Sequence, residues 1–239
     1  MKQTLLSFLL ALLPLVASAD TVEIDGIYYN LIPKGKVAEV TSNPNKYIGA
    51  IEIPETVTYD GVTCNVTSIL DNAFKSCSNL TTITIPNSVT TLGNYAFQNC
   101  SGLTSITIPN SVINIGNGAF SGCSGLKSVT IPNCVTSLGR SAFYGCTGLT
   151  NVTIGNSVTS IGESTFYRCV GLKSVTIPNS VTIIGSSAFA YCGGLTSVSI
   201  GNSVKTINSQ AFAGCGGLTS IFIPNSVTNI GNSAFIECI

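Results

Sequence analysis

The sequence predicts a solenoid of stacked 23-residue coils, in which each coil contributes one short β-strand. From Leu80 onward the chain repeats with a period of 23 residues through seven coils. Phenylalanine recurs once per coil, and a cysteine follows each phenylalanine by three residues. Apolar residues make up 44% of the chain and charged residues only 8%, so we expect a folded protein and not a disordered one.

The first nineteen residues have the features of a secretion signal. Lys2 precedes an apolar run, and Ala17-Ser18-Ala19 matches the small-x-small pattern at which signal peptidase cleaves. The alternative is an N-terminal membrane anchor. Pro14 argues against it, as does an apolar run shorter than the roughly 20 residues needed to span a bilayer. We therefore expect a secreted or cell-surface protein with no transmembrane segment after signal cleavage.

Each coil begins with the pattern L-x-x-I-x-I, as in Leu103, Ile106 and Ile108. Alternation of β-branched residues with Ser or Thr predicts a short strand with one apolar face and one hydroxyl face. Proline or glycine follows, for example Pro109. Because proline cannot donate to a sheet ladder, the strand is expected to end there.

Two further positions recur between the strand and the phenylalanine. The first is always asparagine, whose side chain we expect to bond the backbone of the bend. These asparagines are Asn87, Asn110, Asn133, Asn156, Asn179, Asn202 and Asn225. The second is glycine in six coils and Asn208 in one, and exchange of Gly with Asn predicts a backbone with positive φ. The glycines are Gly93, Gly116, Gly139, Gly162, Gly185 and Gly231.

The segment that closes each coil spaces Ala, Phe and Cys as one side of a helix would. We therefore expect a single helical turn on the convex side, too short to be stable outside the stack. Tyr144 and Tyr167 occupy equivalent places in adjacent coils of this segment, and we expect their rings to pair.

The string L-x-x-I-x-I-P-x-S-V-x-x-I-G-x-x-A-F-x-x-C resembles the BspA-like leucine-rich repeats of bacterial and some protist surface proteins. The resemblance covers Leu80 to Cys238 and extends weakly to IEIPETVT at 51–58. It implies a leucine-rich-repeat solenoid of the β-dominated α/β type, curved, with a parallel β-sheet on the concave side. It also implies a role in adhesion to host matrix proteins or to other cells.

The resemblance and the repeat pattern together suggest four parts. These are a signal peptide (1–19), an N-terminal β-rich cap (20–50), a degenerate first repeat with an insertion (51–79) and the tandem repeats (80–239). The sequence stops at Cys238-Ile239, in the middle of a coil and without a polar capping repeat. We therefore expect truncation at the C-terminus, with coverage of the last coil by self-association as the alternative.

The residue content argues against catalysis. The chain has no histidine, which is the commonest general base and metal ligand. The acids of the repeat array, Glu163 and Glu237, lie more than three coils apart, so hydrolysis by a carboxylate pair is excluded. Basic residues are too sparse for a nucleic-acid surface. We predict a protein that is not an enzyme, with no cofactor, no metal and no nucleic-acid partner.

Eight cysteines share one position of the coil, and they either pack as thiols or pair as disulfides. Stacking would place their Cα atoms about 5 Å apart, within disulfide range, but parallel Cβ vectors fit a bridge poorly. We therefore favour buried thiols, and one cysteine per coil lacks the C-x-x-C spacing of a metal chelate. The eight are Cys77, Cys100, Cys123, Cys146, Cys169, Cys192, Cys215 and Cys238. Cys64 and Cys134 fall outside this set and are predicted to be unpaired.

The outward positions of the predicted strands, on the concave side of the solenoid, form the candidate binding surface for a protein or glycan on a host or neighbouring cell. They are Thr82, Thr84, Ser105, Thr107, Ser128, Thr130, Asn151, Thr153, Ser174, Thr176, Ser197, Ser199, Ser220 and Phe222. Ser and Thr also suit any exposed strand, so a spacer or surface coat without a specific ligand is the alternative. A third possibility is binding to ice or a crystal surface through the T-x-T rows. Phe222 interrupts the polar row and is a candidate contact.

Overall fold

A computed structural model of the protein describes residues 20–238, so the predicted signal peptide lies outside the described residues. The described part contains eighteen β-strands and one 3₁₀ helix, Pro33–Gly35. Within this part, no helix has the length and apolar character needed to cross a membrane. The fold is a β-solenoid, as the repeat pattern predicts.

The N-terminal end of the solenoid converts antiparallel pairing into parallel pairing. Its strands are β1 (Asp20–Ile24), β2 (Ile27–Ile32), β3 (Val37–Val40), β4 (Gly49–Glu52), β5 (Thr56–Tyr59) and β6 (Val62–Ile69). Strands β1, β2 and β3 pair antiparallel, and β3 then pairs in parallel with β6. Strand β5 joins β6 as an antiparallel partner. From β6 onward each new coil adds in parallel.

Five of the seven L-x-x-I-x-I segments form short parallel strands, as predicted, whereas residues 103–108 and 218–223 follow the same course without forming a strand. The five strands are β7 (Leu80–Thr84), β10 (Ser128–Thr130), β12 (Asn151–Thr153), β14 (Ser174–Ile177) and β16 (Ser197–Ile200). They pair as β4 with β7, β10 with β12, and β14 with β16. Their apolar side chains are buried and their hydroxyl side chains are exposed, which places the core behind this row.

A second row of two-residue strands, which the sequence analysis missed, carries the longer sheet. They are β8 (Thr91–Leu92), β9 (Asn114–Ile115), β11 (Ser137–Leu138), β13 (Ser160–Ile161), β15 (Ile183–Ile184), β17 (Thr206–Ile207) and β18 (Asn229–Ile230). Together with the N-terminal strands β1, β2, β3, β5 and β6 they form a 12-stranded sheet. A strand of two residues is too short to show alternation of apolar and polar residues, so the sequence pattern does not predict this second row.

The expected helical turn is wrong, because the closing segment of each coil is a series of non-helical turns. In one coil Tyr95 and Asn99 both adopt the left-handed region, with φ of 55° and 59°. Two left-handed residues four apart interrupt a right-handed helix. Alternate N–H groups bond the next coil instead: Phe97 N donates to the Ala119 carbonyl at 2.7 Å. The segment is therefore held by its neighbour and not by its own helical bonds.

The prediction of positive φ for the recurring glycines is also wrong. None of the six glycines lies in the left-handed region in residues 20–238. The reason for glycine is close approach: a Cβ on Gly116 would fall 2.6 Å from the Gly93 carbonyl carbon in the preceding coil. Asn208 keeps the same backbone bond to the preceding coil that Gly185 makes, since its N–H donates to Ile184 O at 2.9 Å. Glycine recurs at this position because the backbones of successive coils lie in close contact there.

Two of the recurring asparagines, Asn133 and Asn179, bond the next coil and not their own bend. Asn156 N donates to Asn133 Oδ1 at 2.8 Å, and Asn202 N donates to Asn179 Oδ1 at the same distance. In both pairs a glycine in place of the usual proline precedes the asparagine whose N–H donates, at Gly155 and Gly201. The asparagine side chain therefore helps to fix the register of successive coils.

The core is a set of columns that run along the solenoid. The phenylalanine rings stack with centroids 5.1 to 5.5 Å apart from Phe74 to Phe235. Tyr47 closes the N-terminal end of the column, with its ring centroid 4.5 Å from that of Phe74. The Tyr47 hydroxyl donates to the Thr41 carbonyl at 2.8 Å and accepts from Tyr28 N at 2.9 Å, so its polar end is satisfied.

Candidate functional site

The fourteen candidate residues all lie exposed on one side of the solenoid, which we call the strand face. Register explains this placement, because Ser174 pairs with Ser197, and Thr176 with Ser199, on neighbouring parallel strands. Residues between them, such as Val175, point into the core. The strand therefore presents two uncharged polar positions per coil to solvent.

Two open grooves run along the strand face. The larger has a volume of about 910 Å³ and is lined by Asn151, Thr153, Thr176, Ser199 and Phe222, among others. The smaller, of about 560 Å³, is lined by residues that include Ser105, Thr107, Ser128 and Thr130. The structure thus brings most of the predicted residues together around two concave depressions.

Phe222 is the most exposed large apolar side chain of this face, with 76% of its surface accessible. Equivalent positions in the other coils carry Thr or Ser. Its ring stands at one end of the larger groove, beside the hydroxyl row. An aromatic ring at the wall of a polar groove supplies apolar contact area that the rest of the face lacks.

The strand face carries no charged side chain among its fourteen residues. The nearest cations in sequence, Lys127 and Lys173, are exposed one residue before Ser128 and Ser174. A ligand held on this face is therefore contacted by hydroxyl groups, amides and one ring, with positive charge at the margin.

The coil-closing segments form a second surface, the turn side. The predicted pairing of Tyr144 with Tyr167 is confirmed, since their rings stack with centroids 4.9 Å apart. Tyr167 also meets Tyr191 edge-on at 5.4 Å, and the Arg168 guanidinium lies 5.6 Å from the Tyr167 centroid. The sequence favours packing over recognition for Tyr144 and Tyr167, and gives no sign that both arginines of the chain, Arg140 and Arg168, lie on the same side.

The cysteines are free thiols, as favoured, and Cys64 and Cys134 are unpaired as predicted. Each thiol of the column from Cys100 onward donates to the carbonyl of a phenylalanine in the preceding coil, as Cys146 does to Phe120 O at 3.1 Å. Burial raises the pKa of the Cys215 thiol to about 12. Such thiols are protonated and unreactive at neutral pH, so the column is structural.

Acidic and metal-ligating side chains do not converge in the described part of the chain. Residues 20–238 contain no group of three or more His, Cys, Asp or Glu side chains placed to hold a metal ion. Arg140 and Glu163 form an ion pair at 2.6 Å on the turn side, where both side chains are exposed. Such an exposed pair contributes little to stability, about 0 to 1 kcal/mol.

Comparison with known proteins agrees with this architecture. A family model described as the BspA type leucine-rich repeat region, in six copies, matches residues 45–172 and 114–239. A search of curated protein sequences found no match.

Several solved structures share the fold. A leucine-rich repeat protein of T. pallidum is similar at 27% identity with a TM-score of 0.64, over 92% of this chain and 89% of that one. A leucine-rich repeat protein of Eubacterium ventriosum is 26% identical with a TM-score of 0.65, over 92% of this chain and 50% of that one. A leucine-rich cell surface protein of Faecalibacterium prausnitzii shares the fold at 24% identity and a TM-score of 0.52, over 92% and 87% of the two chains. With its repeats matched over more than half its length, this chain belongs to the BspA-type leucine-rich repeat family.

Proposed function

We propose that the protein is a secreted or cell-surface binding scaffold, without enzymatic activity, that holds a protein or glycan ligand on its strand face. Its role would be adhesion to host matrix proteins or to other cells. The observation that carries the proposal is the groove of about 910 Å³, which joins the hydroxyl rows of successive coils to the exposed ring of Phe222.

The composition of the strand face supports this proposal. Rows of Thr and Ser on a rigid sheet offer repeated hydrogen-bonding groups at the spacing of parallel strands, about 4.8 Å. Repeated weak contacts of this kind add up through avidity. Phe222, as an exposed aromatic beside a groove, has the character of an interface anchor.

The pattern of the N-terminal residues supports the proposed location. The N-terminal nineteen residues have the pattern of a secretion signal, and a solved relative of the same fold is described as a cell surface protein. The absence of histidine and of converging carboxylates in the sequence supports a role without catalysis.

The test is saturable binding of the purified chain to immobilised fibronectin, to fibrinogen and to whole cells. Phe222→Ser and the double variant Thr153→Lys with Thr176→Lys should weaken binding roughly tenfold or more, since they alter the groove's anchor and its hydroxyl row. Thr136→Lys is the matched control, because Thr136 is equally exposed but lies outside the strand face.

Binding that the groove variants leave unchanged would show that another surface is responsible. If the wild-type chain binds none of the three targets, a spacer or surface coat becomes the better explanation. The near uniformity of the exposed strand positions would then reflect constant coil geometry alone.

A further inference from the structure

A slot on the turn side, separate from the strand face, has tyrosine walls and a polar lining. It has a volume of about 460 Å³ and lies between Tyr95 and Tyr144, which belong to coils two repeats apart. Gly118, in the coil between them, forms part of the floor. We call this depression the tyrosine slot.

Gly118 has no side chain, and this leaves room for the ring of Tyr95, which is the first wall of the slot. A Cβ on Gly118 would fall 2.5 Å from Cδ1 of Tyr95, so any side chain there would collide with the ring. The Lys75 ammonium lies 5.6 Å from the Tyr95 centroid and supports the ring from another side. Tyr95 is held over the floor, yet 41% of its surface stays exposed.

The second wall presents an uncovered ring face. Tyr144 stacks on Tyr167 in the following coil, with an angle of 6° between the planes. In the preceding coil the equivalent position is Ser121, whose small side chain cannot cover the opposite face of Tyr144. That face therefore borders the slot.

The remaining lining is polar, and three of its five side chains are available. Asn117 Oδ1 already accepts from Arg140 N at 2.8 Å, and the Arg140 guanidinium pairs with Glu163 at 2.6 Å. Gln98, Ser121 and Ser141 line the slot, and within residues 20–238 their side chains make no hydrogen bond.

The backbone, by contrast, is already used. Gly118 N donates to Arg140 O at 2.8 Å, and Gly122 N donates to Tyr144 O at 2.7 Å. An extended peptide would find no main-chain ladder to pair with, so recognition must rest on side chains.

We propose that the tyrosine slot binds a pyranose unit of an acidic glycan. The C–H face of a sugar ring would stack on the negative face of the Tyr144 ring. The sugar hydroxyls would form hydrogen bonds with the free amide and hydroxyl groups of Gln98, Ser121 and Ser141.

A carboxylate on a neighbouring unit of the same glycan would pair with Arg168. This residue does not line the slot but lies against Tyr167, whose ring stacks on Tyr144. Its guanidinium sits 5.6 and 5.9 Å from the centroids of Tyr167 and Tyr191 and has no acidic partner within residues 20–238. A guanidinium held against aromatic rings keeps its donors free for a carboxylate.

The experiment measures the affinity of the full chain for a hyaluronan hexasaccharide, which carries carboxylates, and for neutral cellohexaose. The chain has no tryptophan, so tyrosine emission can be followed during titration, and the variants below assign its change to the slot among the eight tyrosines. We expect hyaluronan to bind more tightly than cellohexaose, with a preference that falls as salt is raised. Tyr144→Ser should weaken both by roughly tenfold, the scale of one lost stacking contact.

Arg168→Gln should reduce the affinity for hyaluronan to that for cellohexaose. Tyr59→Ser is the matched control, since Tyr59 is an exposed tyrosine in the N-terminal strand β5, and it should change neither affinity.

Three results would overturn the proposal. They are no binding of either oligosaccharide, binding that Tyr144→Ser leaves intact while the variant unfolds at the wild-type temperature, and equal affinity for a hexaglutamate peptide. The last would identify the slot as a site for acidic protein segments.

Discussion

The ring of Phe97 stacks on the ring of Phe120 with centroids 5.1 Å apart and an angle of 0° between the planes. These two residues are one repeat apart, and both are fully buried. The relation repeats along the solenoid, so the stability of each coil depends on its neighbours.

The phenylalanine column gives the first prediction. Phe143 is buried between Phe120 and Phe166, with ring centroids 5.2 and 5.4 Å away. Phe143→Ala should lower the free energy of unfolding by about 3 to 5 kcal/mol, because it leaves a cavity in a closed column. Urea unfolding followed by circular dichroism measures this. Phe235→Ala, at a partly buried ring with one stacking partner, should cost clearly less. Equal losses would contradict a column.

The close approach of coils gives the second prediction. Gly116→Ala places a Cβ against the backbone of the preceding coil and should destabilise the chain by about 1 to 3 kcal/mol. Gly193→Ala is the control, since a Cβ there meets no atom within 4 Å and Gly193 has no positive φ. The comparison is made by thermal unfolding of both variants. A Gly116→Ala variant as stable as Gly193→Ala would show that the coils are not tightly stacked.

The thiol column gives a prediction about pH. Burial raises the pKa of Cys215 to about 12, whereas an unfolded thiol ionises near pH 8.5, as a typical value. The folded chain therefore holds its proton where the unfolded chain has lost it, so stability is complete below about pH 8.5 and falls as pH rises toward 12. Denaturant unfolding at pH 8, 9, 10 and 11 should show this fall, and Cys215→Ala should make it shallower. An unchanged slope in that variant would show that Cys215 is not buried in the folded state.

Export gives a prediction about the N-terminus. The Ala17-Ser18-Ala19 pattern predicts cleavage before Asp20. Mass spectrometry of the protein recovered from the medium or surface of the producing cells should find Asp20 as the first residue. Material that keeps Met1 and remains inside the cell would rule out the signal.

Side-chain columns were predictable from the sequence because the 23-residue period runs unbroken. Residues one repeat apart, such as Phe97 and Phe120, lie above one another when coils stack in register. The alternation of the strand determines which residues, such as Thr153, face outward. The helical turn was mistaken because the spacing of Ala, Phe and Cys cannot reveal left-handed residues such as Tyr95. Periodicity reports which side chains are buried, not the backbone path between them.

The glycine column and the tyrosine slot show two other limits of the sequence. A recurring glycine such as Gly116 is explained equally well by a positive φ and by close approach of another backbone. Only the position of the preceding coil distinguishes the two explanations. The slot combines Tyr95 with Tyr144, which occupy different positions in coils two repeats apart. A search for repeated positions passes over such a pair, because the two tyrosines stand at different positions of the repeat.

The most direct test of the stacked solenoid is a crystal structure of the full chain that resolves the rings of Phe97, Phe120 and Phe143. We predict consecutive centroids 5.1 and 5.2 Å apart with nearly parallel planes, and parallel pairing of Ser128 with Asn151. Antiparallel pairing of these segments, or phenylalanine rings that do not contact one another, would contradict the stacked coils and the faces that depend on them.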